Sequence, residues 1–220
     1  MHPDFDISDE QIEKQRVFLR NELSRLFSKG RVTILIDHAN LEFALKKLRF
    51  RFDYEKFLHD FQEVGNLKGV YCFISYIPND YKRGGFISFL EYNGYRVIRK
   101  ETKGHFNIDA PDALEVIEEP EVFTDAGSRL AAEPFRRIKG NVDVELTIYA
   151  LEYCRHADHI VLVSGDGDFR MLIEQLQKNG KEVSVISTAR TYPPVVADEV
   201  RRQADNFLDL DDLRILFEKE

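Results

Sequence analysis

The chain has 220 residues, of which 43% are hydrophobic and 12% aromatic, enough for one large domain or two small ones with a sizeable core. Its formal net charge of −8 argues against a broad nucleic-acid-binding surface. The longest apolar runs, VTILI and HIVLV, are far too short to cross a bilayer, so no membrane partner is expected.

The cysteines and histidines point to no structural metal or disulfide. Cys72 and Cys154 have no CxxC partner, which predicts reduced packing residues in a cytoplasmic protein. His105, His156 and His159 lack both zinc-ligand spacing and a nearby cysteine pair, which argues against structural zinc. The N-terminus, MHPDFDISDE, lacks the charged-then-apolar layout of a signal peptide.

An amphipathic helix is predicted first, over residues 8–28. Ser8 and Gln11 form a capping-box pattern, and a rough apolar stripe follows them. We interpret residues 1–30 as an N-terminal helical extension that packs on the main domain. The alternative is a dimerisation arm, which makes a homodimer possible.

Strands and helices alternate through most of the remaining chain. The pattern predicts strands at 31–37, 69–77, 95–100, 159–164 and 181–187, with a short edge strand at 206–210. It predicts helices at 53–64, 85–93, 141–155, 168–179 and 194–203, and a last short helix within 211–220. Continuous apolar strands between amphipathic helices indicate a parallel sheet covered on both faces. The expected fold is a three-layer α/β/α domain over residues 31–210, with a mainly parallel, Rossmann-like sheet of about five strands.

Residues 101–138 interrupt this alternation as an acidic insertion. Residues 109–125 hold seven acids and no Lys or Arg, and Pro111 and Pro120 punctuate them. An insertion of this length in a compact domain is more often functional or mobile than inert. We expect either a lid over the active site or a hairpin that packs on the domain or on a second subunit.

Acidic residues follow the first and fourth predicted strands. Asp37 ends the first strand with Asn40 one turn further on, and Ser164-Gly165 ends the fourth, followed by Asp166 and Asp168. These strands are expected to be neighbours at the switch point of the sheet, where ligands bind outside the carboxyl ends of the strands. Their loops therefore face each other in the predicted fold.

A fourth carboxylate is expected at the same edge. Asp143 falls in the first turn of the helix that precedes the fourth strand. Taken alone, Asp143 could simply be a carboxylate that the helix dipole stabilises, and Asp168 could simply cap a helix. Four converging carboxylates would repel each other unless a cation lay between them. Mg²⁺ or Mn²⁺ suits such an all-oxygen set and can activate a water that attacks a phosphodiester.

Basic and aromatic residues are interleaved at the predicted carboxyl edge. Such residues suit a polyanion whose phosphate meets a metal, although scattered cations solvate loops in any protein. We expect substrate contacts from Asn40, Ser164, Lys139, Arg83 and Arg170. Four aromatic residues could stack on bases: Phe50, Phe52, Tyr81 and Tyr192.

Three stretches, in chain order, resemble the NYN domain and especially its LabA-like branch: ILIDHANL, KGNVDVELTIYAL and ADHIVLVSGDGDFRMLIEQLQKNGKEVSVIS. The resemblance covers about residues 31–210 apart from the insertion. It implies a PIN-like nuclease fold and metal-dependent phosphodiester cleavage, with RNA as the expected substrate. It also implies roles for the polar residues: Asp37 as first metal carboxylate, Asn40 as its polar companion, Asp143 as the helix carboxylate, and Asp166 and Asp168 as the strand-four pair.

One departure from the family keeps a second interpretation open. Many LabA-like members carry another Asp six residues after the helix aspartate, where this chain has Tyr149. The alternative to a ribonuclease is therefore a catalytically weak NYN domain that acts as an RNA-binding or regulatory adaptor. A haloacid-dehalogenase-type phosphatase is disfavoured because Ala39 stands where that chemistry needs a second Asp. A dinucleotide enzyme is disfavoured because no G-x-G-x-x-G opens a helix after the first strand.

Overall fold

The computed structural model describes residues 9–78, 80–102 and 142–219. The acidic insertion expected at 101–138 and Lys139 fall almost entirely outside this part of the chain, so the expectations about them stay predictions. Among the described residues, no helix combines the length and the apolar character that a bilayer crossing requires.

Six parallel strands form one sheet in the order β3-β2-β1-β4-β5-β6. Their bounds are β1 Arg31–Asp37, β2 Asn66–Tyr76, β3 Arg96–Glu101, β4 His159–Val163, β5 Glu182–Ser187 and β6 Asn206–Asp209. The predicted α/β class and parallel sheet are confirmed. The strand count exceeds the expected five because the short edge segment pairs fully with β5 through Ser184–Ser187.

Eight α-helices connect and cover the strands in the described residues: α1 Asp9–Phe27, α2 His38–Leu48, α3 Tyr54–Val64, α4 Tyr81–Tyr92, α5 Asp143–Ile148, α6 Arg170–Lys178, α7 Asp198–Gln203 and α8 Arg214–Phe217. The helix predicted at 141–155 is α5 continued by a π-helical turn, Tyr149–Tyr153. Helix α2 was not predicted, because it begins directly at the end of β1 with no turn residues between them. The basic run 46–51 forms the last turn of α2 and the segment after it.

The helices divide into two layers, each with its own apolar core. One layer holds α1, α2, α3, α4 and α8 and is rich in phenylalanine, with ring centroids of Phe57 lying 4.7 Å from Phe61 and 5.2 Å from Phe217. The other layer holds α5, α6 and α7. Leu23 and Phe27 of α1 are fully buried in the first core, so this helix packs on the sheet domain. Both layers leave the carboxyl ends of β1 and β4 at the centre of one sheet edge.

Candidate metal centre

Asp37 is a buried carboxylate at the carboxyl end of β1, with 5% of its surface exposed. Its side chain caps α2 by accepting the backbone N–H of Asn40 at 3.3 Å. It also accepts the hydroxyl of Ser164 at 3.1 Å, across the parallel pairing of β1 with β4. The predicted neighbourhood of the first and fourth strands is therefore confirmed, and it brings these two polar groups into direct contact.

Burial and nearby carboxylates together perturb Asp37. Burial raises its pKa to about 6, the hydrogen bonds from Asn40 and Ser164 oppose this rise, and the negative charges of Asp143 and Asp166 add to it. Three of the four predicted carboxylates are thus close enough to interact electrostatically. Such a set of oxygen donors is stabilised by a positive charge placed among them.

The loop after β4 is organised by its own side chains. Ser164 accepts the backbone N–H of Asp166 at 3.2 Å, and Asp166 accepts the backbone N–H of Asp168 at 3.1 Å. Asp166 therefore caps the short 3₁₀ turn Gly167–Phe169, a role that we had considered for Asp168. Asp168 itself is exposed at the rim.

Asn40 ties the two central loops together. Its side-chain oxygen accepts the backbone N–H of Gly165 at 2.8 Å. Since Gly165 lies between Ser164 and Asp166, this bond fixes the start of the acidic loop against the first turn of α2. Asn40 and Ser164 were predicted to contact substrate, and their hydrogen bonds show that both also position the aspartates.

Gly165 allows a close approach of another loop. A Cβ at this position would lie 2.5 Å from Oγ of Ser187, 2.7 Å from the carbonyl oxygen of Val195 and 2.7 Å from Cα of Val196. The backbone N–H of Ala197 also donates to the carbonyl of Gly165 at 2.8 Å. Gly165 thus makes room for the segment between β5 and α7, which packs on the acidic loop.

The predicted basic residues of the described chain are engaged in ion pairs. Arg83 donates to Glu42 at 3.1 Å and lies 3.4 Å from Nδ1 of His38, and Arg170 donates to Glu174 at 3.3 Å. Arg83 is therefore anchored on α2 through His38 and Glu42. Each arginine could also contact a bound anion, although each already forms an ion pair with a glutamate of the protein.

Sequence reasoning missed His38. This side chain is buried against Phe86, with ring centroids 4.9 Å apart, and burial lowers its pKa to about 4. It is therefore neutral at physiological pH, and its Nδ1 faces the guanidinium of Arg83 as an acceptor. The only sequence signal was its position next to Asp37, which does not distinguish it from an ordinary helix residue.

Two of the four predicted stacking aromatics are not available to a ligand. Phe50 and Phe52 are buried in the first core, so their predicted role on the surface is wrong. Tyr81 and Tyr192 are exposed.

Tyr149, where many LabA-like members carry an Asp, packs on the second core. Its ring lies 5.5 Å from the ring of Phe73 and 5.7 Å from that of Tyr71.

A separate group of potential metal ligands lies on α3. In the described part of the chain, His59, Asp60 and Glu63 are the one trio of such side chains whose ligand atoms all lie within 4.8 Å of one another. Asp60 is already paired with the cation Arg20 at 3.4 Å, which disfavours a second cation there. No three of the carboxylates around Asp37 lie this close together in the described residues, so water molecules or side-chain movement would have to complete their coordination of an ion.

The fold and the aspartate set together define a PIN-like domain with an acidic centre at its carboxyl edge. Residues 31–211 match the NYN domain family, and the chain belongs to it. It is 29% identical over 194 residues to the low amplitude and bright protein LabA of Synechococcus elongatus, covering 88% of this chain and 90% of that protein.

A solved structure shares the same architecture. The crystal structure of a protein of unknown function from Vibrio parahaemolyticus is 26% identical, with a TM-score of 0.60, and the match covers 86% of this chain and 96% of that one. NYN and PIN-like domains are generally nucleases and typically use divalent metals. Family membership therefore supports a nuclease-type or RNA-related function for this LabA-like chain.

Proposed function

We propose that this protein is a metal-dependent endoribonuclease whose centre consists of Asp37, Asp143, Asp166 and Asp168. The observation that carries the proposal is the buried carboxylate of Asp37, whose pKa is raised by burial and by the charges of Asp143 and Asp166. An acidic set with one buried member fits a hard divalent cation such as Mg²⁺ or Mn²⁺. When bound, the ion would supply a water of lowered pKa and stabilise the leaving oxygen of a phosphodiester.

The chain's own residues would hold this arrangement in place. Asp37 is oriented by two hydrogen bonds, from the backbone of Asn40 and the hydroxyl of Ser164. Asp166 is oriented through the same hydroxyl, which accepts its backbone N–H. Such fixed carboxylates need little reorganisation when charge develops on the phosphate. We assign RNA contacts to Lys139, Arg83 and Arg170. We also propose a cytoplasmic location for the protein.

The decisive experiment measures RNA cleavage by Asp37→Asn and Asp143→Asn. Each variant should lose RNA cleavage in Mg²⁺ or Mn²⁺ while keeping its circular-dichroism spectrum. Glu63→Gln, in the acidic trio on α3, is the matched control and should cleave like the wild type. Cleavage by both aspartate variants at the wild-type rate would contradict the proposal.

The second candidate is a catalytically weak adaptor that binds RNA or regulates a partner, favoured by Tyr149 and by the net charge of −8. Tyr149 lies six residues after Asp143, which places it about 9 Å along the helix and on another side of it. Its ring packs on Phe73 and Tyr71. Since Tyr149 serves the core, we favour the ribonuclease. Retention of RNA without cleavage by the wild type would favour the adaptor.

A further inference from the structure

Two nearly fully exposed tyrosines follow strands β2 and β5 at the carboxyl edge that also holds the aspartates. Tyr81 is 88% exposed at the start of α4, which follows β2, and Tyr192 is 96% exposed between β5 and α7. Rings that remain in water contribute little to the burial of apolar surface that stabilises the fold. Both rings are therefore accessible to a ligand that binds at this edge.

Tyr81 belongs to the first turn of α4, which is anchored on α2, the helix that Asp37 caps. From this turn Arg83 donates to Glu42 at 3.1 Å and lies 3.4 Å from the ring nitrogen of His38. One turn later, the ring of Phe86 packs on His38. Arg83 and Phe86 hold α4 against α2, and they leave Tyr81 and the neighbouring Lys82 exposed.

Tyr192 belongs to a segment that is anchored beside Asp166. The segment closes on itself where the backbone N–H of Val196 donates to the carbonyl of Thr188 at 3.0 Å. It is joined to the acidic loop where Ala197 donates to the carbonyl of Gly165 at 2.8 Å. The contact distances at Gly165 leave no room for a Cβ, so this packing is close.

The strand order places these two segments on opposite sides of the centre. Strands β2 and β5 flank the central pair β1 and β4. Three spacings of about 4.8 Å separate β2 from β5, or about 14 Å in total. A strand of nucleic acid that runs along this edge across Asp37 and Asp166 therefore meets one segment on each side of the centre.

We propose that Tyr81 and Tyr192 stack on bases on the two sides of the scissile phosphate and restrict the substrate to unpaired RNA. This inference rests on the proposed ribonuclease function and names its substrate class. Aromatic rings stack on any base that is free of a duplex, whereas the bases of a double helix are stacked on each other and are read only at their edges. The exposed Lys82 beside Tyr81 adds a cation for the backbone of the same strand.

The test compares alanine variants of the two tyrosines with a matched control. Tyr92 is 93% exposed at the other end of α4, far from the carboxyl edge, so Tyr92→Ala removes an equally exposed ring. Binding of a short single-stranded RNA is measured in EDTA, where no metal-dependent cleavage occurs. Tyr81→Ala and Tyr192→Ala should each weaken binding about tenfold, while Tyr81→Phe and Tyr192→Phe restore it and Tyr92→Ala has no effect.

A hairpin duplex of the same length serves as the second ligand, and its binding should change little in any variant. If the wild type cleaves single-stranded RNA but both alanine variants bind it as tightly as Tyr92→Ala does, the stacking role is overturned and the ribonuclease function stands. An equal loss of binding for the duplex would also overturn it. If the wild type neither binds nor cleaves RNA, the proposed function itself fails.

Discussion

The hydroxyl of Ser164 donates a hydrogen bond to the buried carboxylate of Asp37 at 3.1 Å. The same hydroxyl oxygen accepts the backbone N–H of Asp166 at 3.2 Å. One small side chain thus connects the carboxylate of β1 to the acidic loop of β4. Its hydrogen bond also opposes the rise in the pKa of Asp37, because it favours the charged form.

Ser164→Ala should therefore lower both stability and metal affinity. We expect a loss of about 1–2 kcal/mol in the free energy of unfolding, since a buried carboxylate loses a donor. Ser187→Ala is the matched control. Its hydroxyl is also buried, but Oγ has no hydrogen-bond partner within the described chain, so its removal should be neutral or stabilising. Urea unfolding of both variants provides the comparison, and equal losses would contradict the role of Ser164.

Asp37→Asn should stabilise the metal-free protein at neutral pH. The folded state holds the proton of Asp37 more tightly than the unfolded state, because its pKa rises from 3.8 to about 6. The contribution of this group to stability therefore falls as pH rises through this window. The variant should gain about 1–3 kcal/mol at pH 7, from about 1.4 kcal/mol for each pKa unit, and nothing at pH 4. Unfolding in EDTA across this pH range measures the gain, and a pH-independent difference would count against it.

Divalent metal should instead stabilise the wild type, in which the charged Asp37 lowers the stability of the metal-free protein. Millimolar Mg²⁺ or Mn²⁺ should raise the melting temperature, because a ligand of the native state alone shifts unfolding by mass action, by about 2.7 kcal/mol at a hundred times its Kd. Asp37→Asn combined with Asp166→Asn should abolish this response. A His59→Gln and Glu63→Gln double variant should keep it, since it alters only the trio on α3. If that control variant loses the response and the aspartate variant keeps it, the metal binds at the trio.

Gly165→Ala should be strongly destabilising, whereas Gly84→Ala should not. A Cβ at Gly165 would lie within 2.7 Å of backbone atoms of Val195 and Val196, but a Cβ at Gly84 meets nothing within 4 Å. Gly84 lies inside α4, where alanine is favoured over glycine by about 0.5–1 kcal/mol. Thermal unfolding should therefore move in opposite directions for the two variants. A Gly165→Ala protein as stable as the wild type would show that the segment of Val195 and Val196 moves away at little cost.

The sequence alone was sufficient to predict the layout of the sheet. The apolar runs of β1 and β4 predicted buried parallel strands, and their polar ends predicted that Asp37 and the Ser164 loop would meet. The apolar pattern could not predict α2, because a helix that is capped by the last residue of a strand has no turn residues before it. Nor could it show that Phe50 and Phe52 are buried. Both stand among basic residues in the sequence, yet they pack on Phe217 and Arg214 from the far end of the chain.

The central pairing of β1 with β4 joins residues that are far apart in the chain. Asp37 and Ser164 lie 127 positions apart, and β2 and β3 are placed between them in the sequence but on one side of them in the sheet. During synthesis on the ribosome, Asp37 emerges long before the segment that completes its surroundings. Closing so long a loop is a late and entropically costly step. A nascent chain thus carries an incomplete set of aspartates until β4 is made, and the acidic centre forms only when nearly the whole domain has been translated.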